Sequence, residues 1–158
     1  MNDSMNTQVA TFAAGCFWGV EEEFRRTPGV LEVTSGYSGG NTAEPTYEQV
    51  CTGRTGHAES VDVRFDPQRV TYADLVERFW TIHDPTTPNR QGPDVGTQYR
   101  SAIFTHSDEQ TRVARESLAR AQTRFNRPIS TQIVAATAFF PAEDYHQRYF
   151  ERRGIRSH

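Results

Sequence analysis

Short apolar runs alternate with amphipathic segments along the chain, and this pattern predicts strands interleaved with helices. Val9 to Ala14 is a continuous apolar run of the length typical of a buried strand. The next segment, Cys16 to Arg26, has the spacing of a helix. The residues that carry this helical spacing are Phe17, Val20, Glu21 and Phe24. Residue 16 is therefore expected at the first turn of a helix that directly follows a strand.

Two further strands are predicted by alternation with a period of two residues. The first has Leu31, Val33, Ser35 and Tyr37 on one face and ends at the turn Gly39-Gly40. The second has Val61, Val63 and Phe65 on one face and ends at Asp66-Pro67. Since alternate side chains of a strand point to the same side of a sheet, these residues are expected to face the core.

Two helices are indicated by capping-box patterns, Thr71-Tyr72-Ala73-Asp74 and Ser107-Asp108-Glu109-Gln110. The apolar residues that follow them at helical spacing are Leu75, Val76, Phe79 and Trp80 in the first, and Ala114, Leu118, Ala121 and Phe125 in the second. Asp84 to Gly96, with three prolines and two glycines, is predicted to be a long ordered loop of the kind that often carries function. Strands are predicted at Gln98 to Thr105 and Thr131 to Thr137, and a final helix at Ala142 to Arg152.

Helices interleaved with strands, including an antiparallel central pair, favour an α+β two-layer sandwich over a doubly wound nucleotide fold. No linker or shift in composition divides the 158 residues. One domain is expected over residues 1–158, with a polar N-terminal extension at 1–8 and a short tail at 153–158.

The composition argues against several classes of protein. A net charge of −3 does not suit a nucleic-acid-binding protein, and the late cluster of arginines alternates with glutamates as on a solvated helix face. The polar first residues and the absence of a long apolar run indicate neither a secretory signal nor a membrane span, so a cytoplasmic protein is expected. The five scattered histidines do not form a metal site, and no metal or other cofactor is expected. Two cysteines in a reducing compartment favour a reactive thiol over a structural disulfide.

Cys16 is the first candidate for chemistry. Free N–H groups and the positive end of the helix dipole at a first helical turn favour the thiolate, which is the nucleophilic form of cysteine. A small apolar residue packed under a helix would fit the same position, and position alone leaves both interpretations open.

Glu59 is the second candidate, because it precedes Val61 by two residues and should share the buried face of that strand. Burial disfavours the charged carboxylate and raises its pKa, so that the group can act as a general acid near neutral pH. A glutamate just before the strand that turns into solvent is the alternative.

Several spaced blocks, taken together, identify a resemblance to one family. They are Gly15-Cys16-Phe17-Trp18-Gly19, Gly36-Tyr37-Ser38-Gly39-Gly40, Pro45-Thr46-Tyr47, Val50-Cys51-Thr52-Gly53, Gly56-His57-Ala58-Glu59, His83-Asp84-Pro85 and Gly96-Thr97-Gln98-Tyr99-Arg100-Ser101. The chain resembles the A-type peptide methionine sulfoxide reductases in this order from about Phe12 to Tyr149. So many blocks in order are far more specific than one short motif.

The resemblance implies a ferredoxin-like βαββαβ core and the reduction of free and protein-bound methionine-S-sulfoxide to methionine. It implies Cys16 as the nucleophile and Glu59 as the proton donor. Tyr47 and Tyr99 would hold the sulfoxide oxygen, while Phe17 and Trp18 would form the pocket for the S-methyl group. Gly15 would let the backbone approach the ligand closely. Asp94 corresponds to a position that helps to place the substrate, although a turn-forming aspartate would fit it nearly as well. Tyr37, His57 and His146 are interpreted as structural.

Attack by Cys16 would leave a sulfenic acid, which a second thiol must reduce. No cysteine follows Cys51, and Cys51 itself is expected to be a small buried residue. The reductant is therefore expected to be an external thiol from a thioredoxin-like protein, a glutaredoxin-like protein or a small molecule, with Cys51 as the alternative.

A monomer is expected, although the sequence leaves the oligomeric state open. A thiol-based peroxide sensor without sulfoxide turnover and a noncatalytic binder of methionine peptides are the competing functions.

Overall fold

The computed structural model of the protein describes residues 7–15 and 17–142. The predicted helix beyond Ala142 and the predicted roles of Cys16 and His146 therefore lie outside the described residues. Within the described ranges, every helix is too short or too polar to cross a membrane.

Eight strands and four α-helices make up the described part of the chain. In chain order they are β1 (Gln8–Ala14), α1 (Phe17–Arg25), β2 (Val30–Ser38), α2 (Tyr47–Cys51), β3 (Ala58–Phe65), α3 (Tyr72–Thr81), β4 (Arg90–Gln91), β5 (Asp94–Val95), β6 (Ser101–Thr105), α4 (Asp108–Ala121), β7 (Gln132–Ala135) and β8 (Phe139–Pro141). A 3-10 helix, Thr97–Tyr99, precedes β6 and another, Gln122–Arg124, follows α4. The predicted interleaving of strands and helices is confirmed, and the fold is mixed α/β.

Six strands form one sheet in the order β7-β6-β1-β3-β2-β8. All neighbours in it are antiparallel except β6 and β7, which are parallel. The register places Phe12 opposite Val61 and Ala10 opposite Val63, so the apolar residues of β1 and β3 share one face. β4 and β5 form a separate two-stranded ribbon within the proline-rich loop.

The core lies between this apolar face of the sheet and the helices α1 and α3. The ring of Phe12 stacks on Phe24 of α1 at 4.9 Å between centroids and on Phe79 of α3 at 5.2 Å. One strand residue therefore contacts both helices, which places them on the same side of the sheet. Burial of each of these aromatic rings stabilises the fold by roughly 1.5–3 kcal/mol. Because the rings pack β1 against α1 and α3, they hold the end of β1 in place relative to these helices.

The opposite face of β1 and β3 has a smaller apolar cluster and a polar group. The hydroxyl of Thr11 donates to Oδ1 of Asp62 across the strand pair at 2.6 Å. It lies 2.7 Å from Nε2 of His106, which must then donate to it, since the single hydroxyl hydrogen is already used. This face therefore contains a half-buried carboxyl, Asp62, with two supporting side chains.

Three details of the predicted elements are wrong. Leu31 does not face the core: between Val30 and Glu32 the pairing with β3 shifts by one residue, and the side chain of Leu31 is 46% exposed. Such a bulge reverses the direction of the side chains on one side of it. The strand predicted from Gln98 begins only at Ser101, because the preceding residues form the 3-10 helix. The strand predicted from Thr131 to Thr137 is shortened to β7.

The capping predictions have different outcomes. Thr71 and Asp74 form the reciprocal capping box at the start of α3, as predicted. Ser107 caps α4, but the side chain of Gln110 does not return to the backbone of Ser107. Instead its Oε1 accepts from the N–H of His106 and its Nε2 donates to the carbonyl of Val9. Gln110 thus ties α4 to β1. This tertiary contact replaces the hydrogen bond that the side chain of Gln110 would make to the backbone of Ser107 in a capping box.

Helix α2 was missed by the sequence pattern. Thr46 caps it, and the side chain of Gln49 accepts from the N–H of Thr46 to complete a capping box. The signal was present as Thr-x-x-Gln, but five residues are too short to show helical periodicity.

Candidate active site

Glu59 is buried at the start of β3, as the strand period predicted. Its side chain is 1% exposed, and in the sheet it is paired with Tyr37 of β2. The N–H of Phe17, the first residue of α1, donates to Oε1 at 3.2 Å. Oε2 is also buried and has no hydrogen-bond partner among the described residues. One oxygen of this carboxyl is therefore held by the helix, and the other is left to interact with a ligand.

Burial is the main reason why the pKa of Glu59 is raised to about 8. The N–H of Phe17 stabilises the carboxylate and opposes this shift, while the negative charge of Asp94 adds to it. With a pKa of about 8, most of the carboxyl is protonated at neutral pH. Glu59 therefore has a proton that it can give to a substrate.

An aromatic wall lies beside Glu59, and it is built from α1 and α2. The ring of Phe17 lies 5.9 Å from that of Trp18 and 6.3 Å from that of Tyr47, and Trp18 lies 6.1 Å from Tyr47. Phe17 is fully buried, whereas Trp18 and Tyr47 are half-buried. Three rings in mutual contact, with two of them partly open to solvent, can enclose a small apolar group.

The two candidate phenols lie close together. Tyr47 is the first residue of α2, and Tyr99 ends the 3-10 helix before β6. The pKa of Tyr47 is raised well above its ordinary value, first by burial and then by the negative charge of Glu59, with a further contribution from Tyr99. Tyr47 thus remains a neutral hydrogen-bond donor throughout the physiological range.

Cys51 is exposed, so the prediction of a small buried residue is wrong. It ends α2 one turn after Tyr47, and this spacing brings the two side chains to the same side of the helix. The phenol of Tyr47 donates a hydrogen bond to the thiol, which lowers the pKa of Cys51. Partial desolvation of the sulfur outweighs this effect, with a smaller contribution from the charge of Glu59, and the pKa of Cys51 is raised overall. Cys51 is therefore mainly a thiol, the less nucleophilic form, at neutral pH.

Asp94 belongs to the β4–β5 ribbon of the proline-rich loop and is half-buried. Its charge acts on Glu59, which places it at the same end of the sheet as the acid. The loop predicted from Asp84 to Gly96 therefore lies against the candidate site.

His57 holds the loop that follows β2. The N–H of Gly40 donates to its Nδ1 at 3.0 Å, so the proton lies on Nε2, which donates to the carbonyl of Thr42 at 2.6 Å. Both ring nitrogens are engaged by backbone, which agrees with the structural role expected for this residue. Tyr37 is fully buried, with its ring 5.7 Å from that of Phe17.

The space on the Cβ side of Gly15 is filled by a neighbouring side chain. A Cβ at this position would lie 2.9 Å from both Cβ and Cγ of Gln91, and its φ of +96° is in the region that favours glycine. The close approach is therefore made by Gln91, a residue of the β4–β5 ribbon that the sequence pattern did not single out.

Six of the seven candidate side chains meet at one end of the sheet. They are Phe17, Trp18, Tyr47, Glu59, Asp94 and Tyr99. The seventh, Cys16, lies outside the described residues. The peptide bond that follows it supplies the Phe17 N–H that donates to Glu59.

The family model of the peptide methionine sulfoxide reductases matches residues 8–157 of the chain. The chain belongs to this family. The peptide methionine sulfoxide reductase MsrA of Methanoculleus marisnigri is 59% identical over 156 residues, a match that covers 98% of this chain and 95% of the relative. The resemblance inferred from the spaced blocks is confirmed.

Solved structures agree with this family membership. The reduced form of Mxr1 from Saccharomyces cerevisiae has a TM-score of 0.92 at 35% identity, with 98% of this chain and 90% of that chain covered. Mxr1 in complex with Trx2 has a TM-score of 0.68 at 25% identity, with 94% of this chain and 88% of that chain covered. The family is one of oxidoreductases, and the mixed α/β fold described here is close to that of its solved members.

Proposed function

We propose that the protein reduces methionine-S-sulfoxide, free or within proteins, to methionine and so repairs oxidised proteins. Family membership supports the reaction class. The observation that carries the proposal is the buried carboxyl of Glu59, whose pKa is about 8, beside an aromatic wall and the phenols of Tyr47 and Tyr99. Sulfoxide reduction needs an acid of this kind, because the oxygen is a poor leaving group until it is protonated.

In the proposed reaction, the thiolate of Cys16 attacks the sulfoxide sulfur while Glu59 gives its proton to the oxygen. The attack forms a bond between the two sulfurs, and the protonated oxygen takes a second proton from solvent and departs as water. Water then adds to the cysteine sulfur and loses a proton, and the bond between the two sulfurs breaks. The products are methionine and a sulfenic acid on Cys16, so the cysteine sulfur loses the two electrons that the sulfoxide gains. Oε2 of Glu59 makes no hydrogen bond to residues 7–15 or 17–142, and this supports its role as the donor, since a proton there is available to a ligand.

The phenols and rings have supporting roles in this proposal. Tyr47 and Tyr99 donate hydrogen bonds to the sulfoxide oxygen as negative charge develops on it. Phe17 and Trp18 hold the S-methyl group, helped by the attraction between sulfur and aromatic rings. Asp94 contributes from the loop by keeping Glu59 protonated and by helping to place the substrate.

An external thiol completes the proposed cycle. It attacks the sulfenic sulfur, releases water and forms a mixed disulfide with Cys16. A second thiol then attacks the reductant's sulfur in this disulfide, which releases Cys16 as a thiol and leaves the reductant oxidised. The complex of the relative Mxr1 with Trx2 supports a thioredoxin-like reductant, with a glutaredoxin-like protein or a small thiol as alternatives. The raised pKa of Cys51 makes it a poor internal substitute.

The finer description of the fold belongs to the same proposal. The central strands β6-β1-β3-β2 are antiparallel, and α1 and α3 lie on one side of them. This order supports an α+β two-layer sandwich with a ferredoxin-like βαββαβ core, to which α2, α4, β7 and β8 are added.

The direct test uses purified protein with the separate S and R epimers of methionine sulfoxide, as free amino acid and within a peptide, and dithiothreitol or thioredoxin as reductant. Formation of methionine from the S epimer alone is expected, together with its loss in Cys16→Ser. Consumption of peroxide without any conversion of sulfoxide would contradict the proposal and favour the peroxide sensor instead.

A further inference from the structure

We propose that Gln91 is a positioning residue, which holds the backbone at Gly15 and thereby sets the chain that leads into Cys16. This inference rests on the proposed function of Cys16. It concerns a residue of the β4–β5 ribbon that does not belong to the acid, the phenols or the aromatic wall.

The amide of Gln91 is fixed by the loop around it. Its Oε1 accepts from the N–H of Asp84 at 3.0 Å, and its Nε2 donates to the carbonyl of Asp84 and to Oγ1 of Thr87 at 3.2 Å. Both N–H groups and the oxygen are therefore used. Thr87 in turn donates to the carbonyl of Arg90 at 2.6 Å, which closes the loop on itself. The side chain of Gln91 is thus held in one orientation.

The aliphatic stem of Gln91 fills the space beside Gly15. Cβ and Cγ of Gln91 lie so close that a Cβ on Gly15 would approach both to 2.9 Å. Gly15 has a φ of +96°, a conformation that glycine adopts readily because it has no Cβ, and the same freedom leaves other backbone conformations open to it. Contact with the rigid stem of Gln91 restricts this freedom.

The backbone of Gln91 leads to the acid. In the ribbon Gln91 is paired with Asp94, the residue whose charge raises the pKa of Glu59. Gln91 therefore connects the peptide before Cys16 with Asp94, the carboxylate whose charge acts on Glu59. Displacement of Gln91 would alter the position of the nucleophile relative to the acid, and a misplacement of about 1 Å can cost about 10²-fold in rate.

Two variants separate the parts of this contact. Gln91→Ala removes both the stem and the amide, whereas Gln91→Met keeps an unbranched stem against Gly15 and loses the hydrogen bonds. The matched control is Gln122→Ala. Gln122 is also half-buried, and its amide also holds a loop through backbone groups, donating to the carbonyl of Arg127 and accepting from the N–H of Ile129. It contacts none of the site residues through these bonds.

The experiment measures kcat and KM for methionine-S-sulfoxide, the thermal unfolding temperature, and the rate of alkylation of Cys16 by iodoacetamide across pH, read by peptide mass spectrometry. Gln91→Ala is expected to lower kcat by about tenfold or more and to change the alkylation profile, with KM within about twofold of the wild type. Gln91→Met should recover part of both. Gln122→Ala should lower the unfolding temperature without changing kcat or the alkylation of Cys16.

A loss of kcat in Gln91→Ala no larger than that in Gln122→Ala, with an unchanged alkylation profile, would overturn the inference. If Gln91→Ala does not fold, Gln91→Met is compared with Gln122→Ala in the same way, by kcat and by the alkylation profile of Cys16. Alkylation does not require sulfoxide turnover. A wild-type protein that leaves all sulfoxides unchanged would therefore refute the proposed function, while the alkylation profiles would still decide the role of Gln91.

Discussion

Two carboxyls lie three residues apart on β3, on opposite faces of the sheet, and their surroundings differ: Glu59 is buried and Asp62 is half-buried. Asp62 receives a hydrogen bond from Thr11, and the charge of His106 favours its ionised form. Both effects oppose the burial that raises its pKa. Glu59 receives only the N–H of Phe17 among the described residues, and its charged neighbour, Asp94, raises its pKa further, to about 8.

The difference shows how one strand can hold a structural carboxyl on one face and a reactive carboxyl on the other. Thr11 and His106 favour the anion of Asp62 and so reduce the rise of its pKa that burial causes, and the bond from Thr11 ties β1 to β3. Glu59 has one oxygen without a partner in the described part of the chain and an acidic neighbour, so it stays protonated and is ready to donate. The helix α1 and the loop around Asp94 create the second situation, so the chemistry depends on elements that lie outside the strand.

The largest expected effect is on activity. Glu59→Gln keeps the shape and the acceptor for the Phe17 N–H but removes the transferable proton, so kcat should fall by about 10²- to 10⁴-fold, as general acids typically contribute. Asp62→Asn keeps an oxygen that accepts from Thr11 on the other face and should leave kcat within about twofold. Steady-state kinetics on methionine-S-sulfoxide would check both. Equal losses in the two variants would remove the proposed distinction between the faces.

The second effect is on stability. In the folded protein Glu59 keeps its proton up to a pH of about 8, whereas in the unfolded chain it loses the proton near its ordinary pKa of 4.5. As the pH rises from about 4.5 to about 8, the unfolded state is therefore favoured progressively. Glu59→Gln lacks this penalty, so its free energy of unfolding relative to the wild type should rise between pH 4.5 and pH 7 by on the order of 3 kcal/mol.

Urea unfolding at the two pH values measures this change. Asp62→Asn should give a change of the same sign and smaller size, because Thr11 and His106 oppose the shift there. An advantage of Glu59→Gln that is the same at both pH values would show that the carboxyl is ionised in the folded protein at neutral pH.

The buried position of Glu59 could be predicted from the sequence because it follows from a period of two residues, which is a local property of the strand. The same rule failed for Leu31, since a bulge arises from pairing between two strands and leaves no mark in either alone. Cys51 was misjudged for a related reason. Its exposure depends on how a helix of five residues sits on the fold, and so short a helix has no periodic pattern to read.

The contact between Gln91 and Gly15 could not be predicted from residue patterns. It joins a hairpin of the proline-rich loop to the residue after β1, and no local pattern around Gln91 indicates that its stem lies against Gly15. The chemical identity of the site was accessible because its residues lie in recognisable blocks, whereas the contacts that orient those blocks depend on tertiary packing.

The third effect is on the pH dependence of the reaction. Glu59 must be protonated to act, so kcat/KM should fall about tenfold per pH unit above a pH of about 8, the pKa of this group. The pKa of Tyr47 is raised far above this region, so its phenol does not contribute to the fall. Rates measured in a series of buffers would show this limb in the wild type and in Asp62→Asn, and its absence from the residual activity of Glu59→Gln.

The smallest expected effect concerns Cys51, which lies near Glu59 but is exposed and carries a raised pKa. Cys51→Ser keeps an acceptor for the phenol of Tyr47 and removes the thiol, so turnover with dithiothreitol or thioredoxin should stay within about twofold of the wild type if the external route operates. Mass spectrometry of the protein after one turnover without added thiol should then find a sulfenic acid on Cys16. An obligatory disulfide between Cys16 and Cys51, together with loss of turnover in Cys51→Ser, would instead make Cys51 the resolving thiol. The raised pKa of its thiol would then have to be lowered by a change that follows oxidation of Cys16.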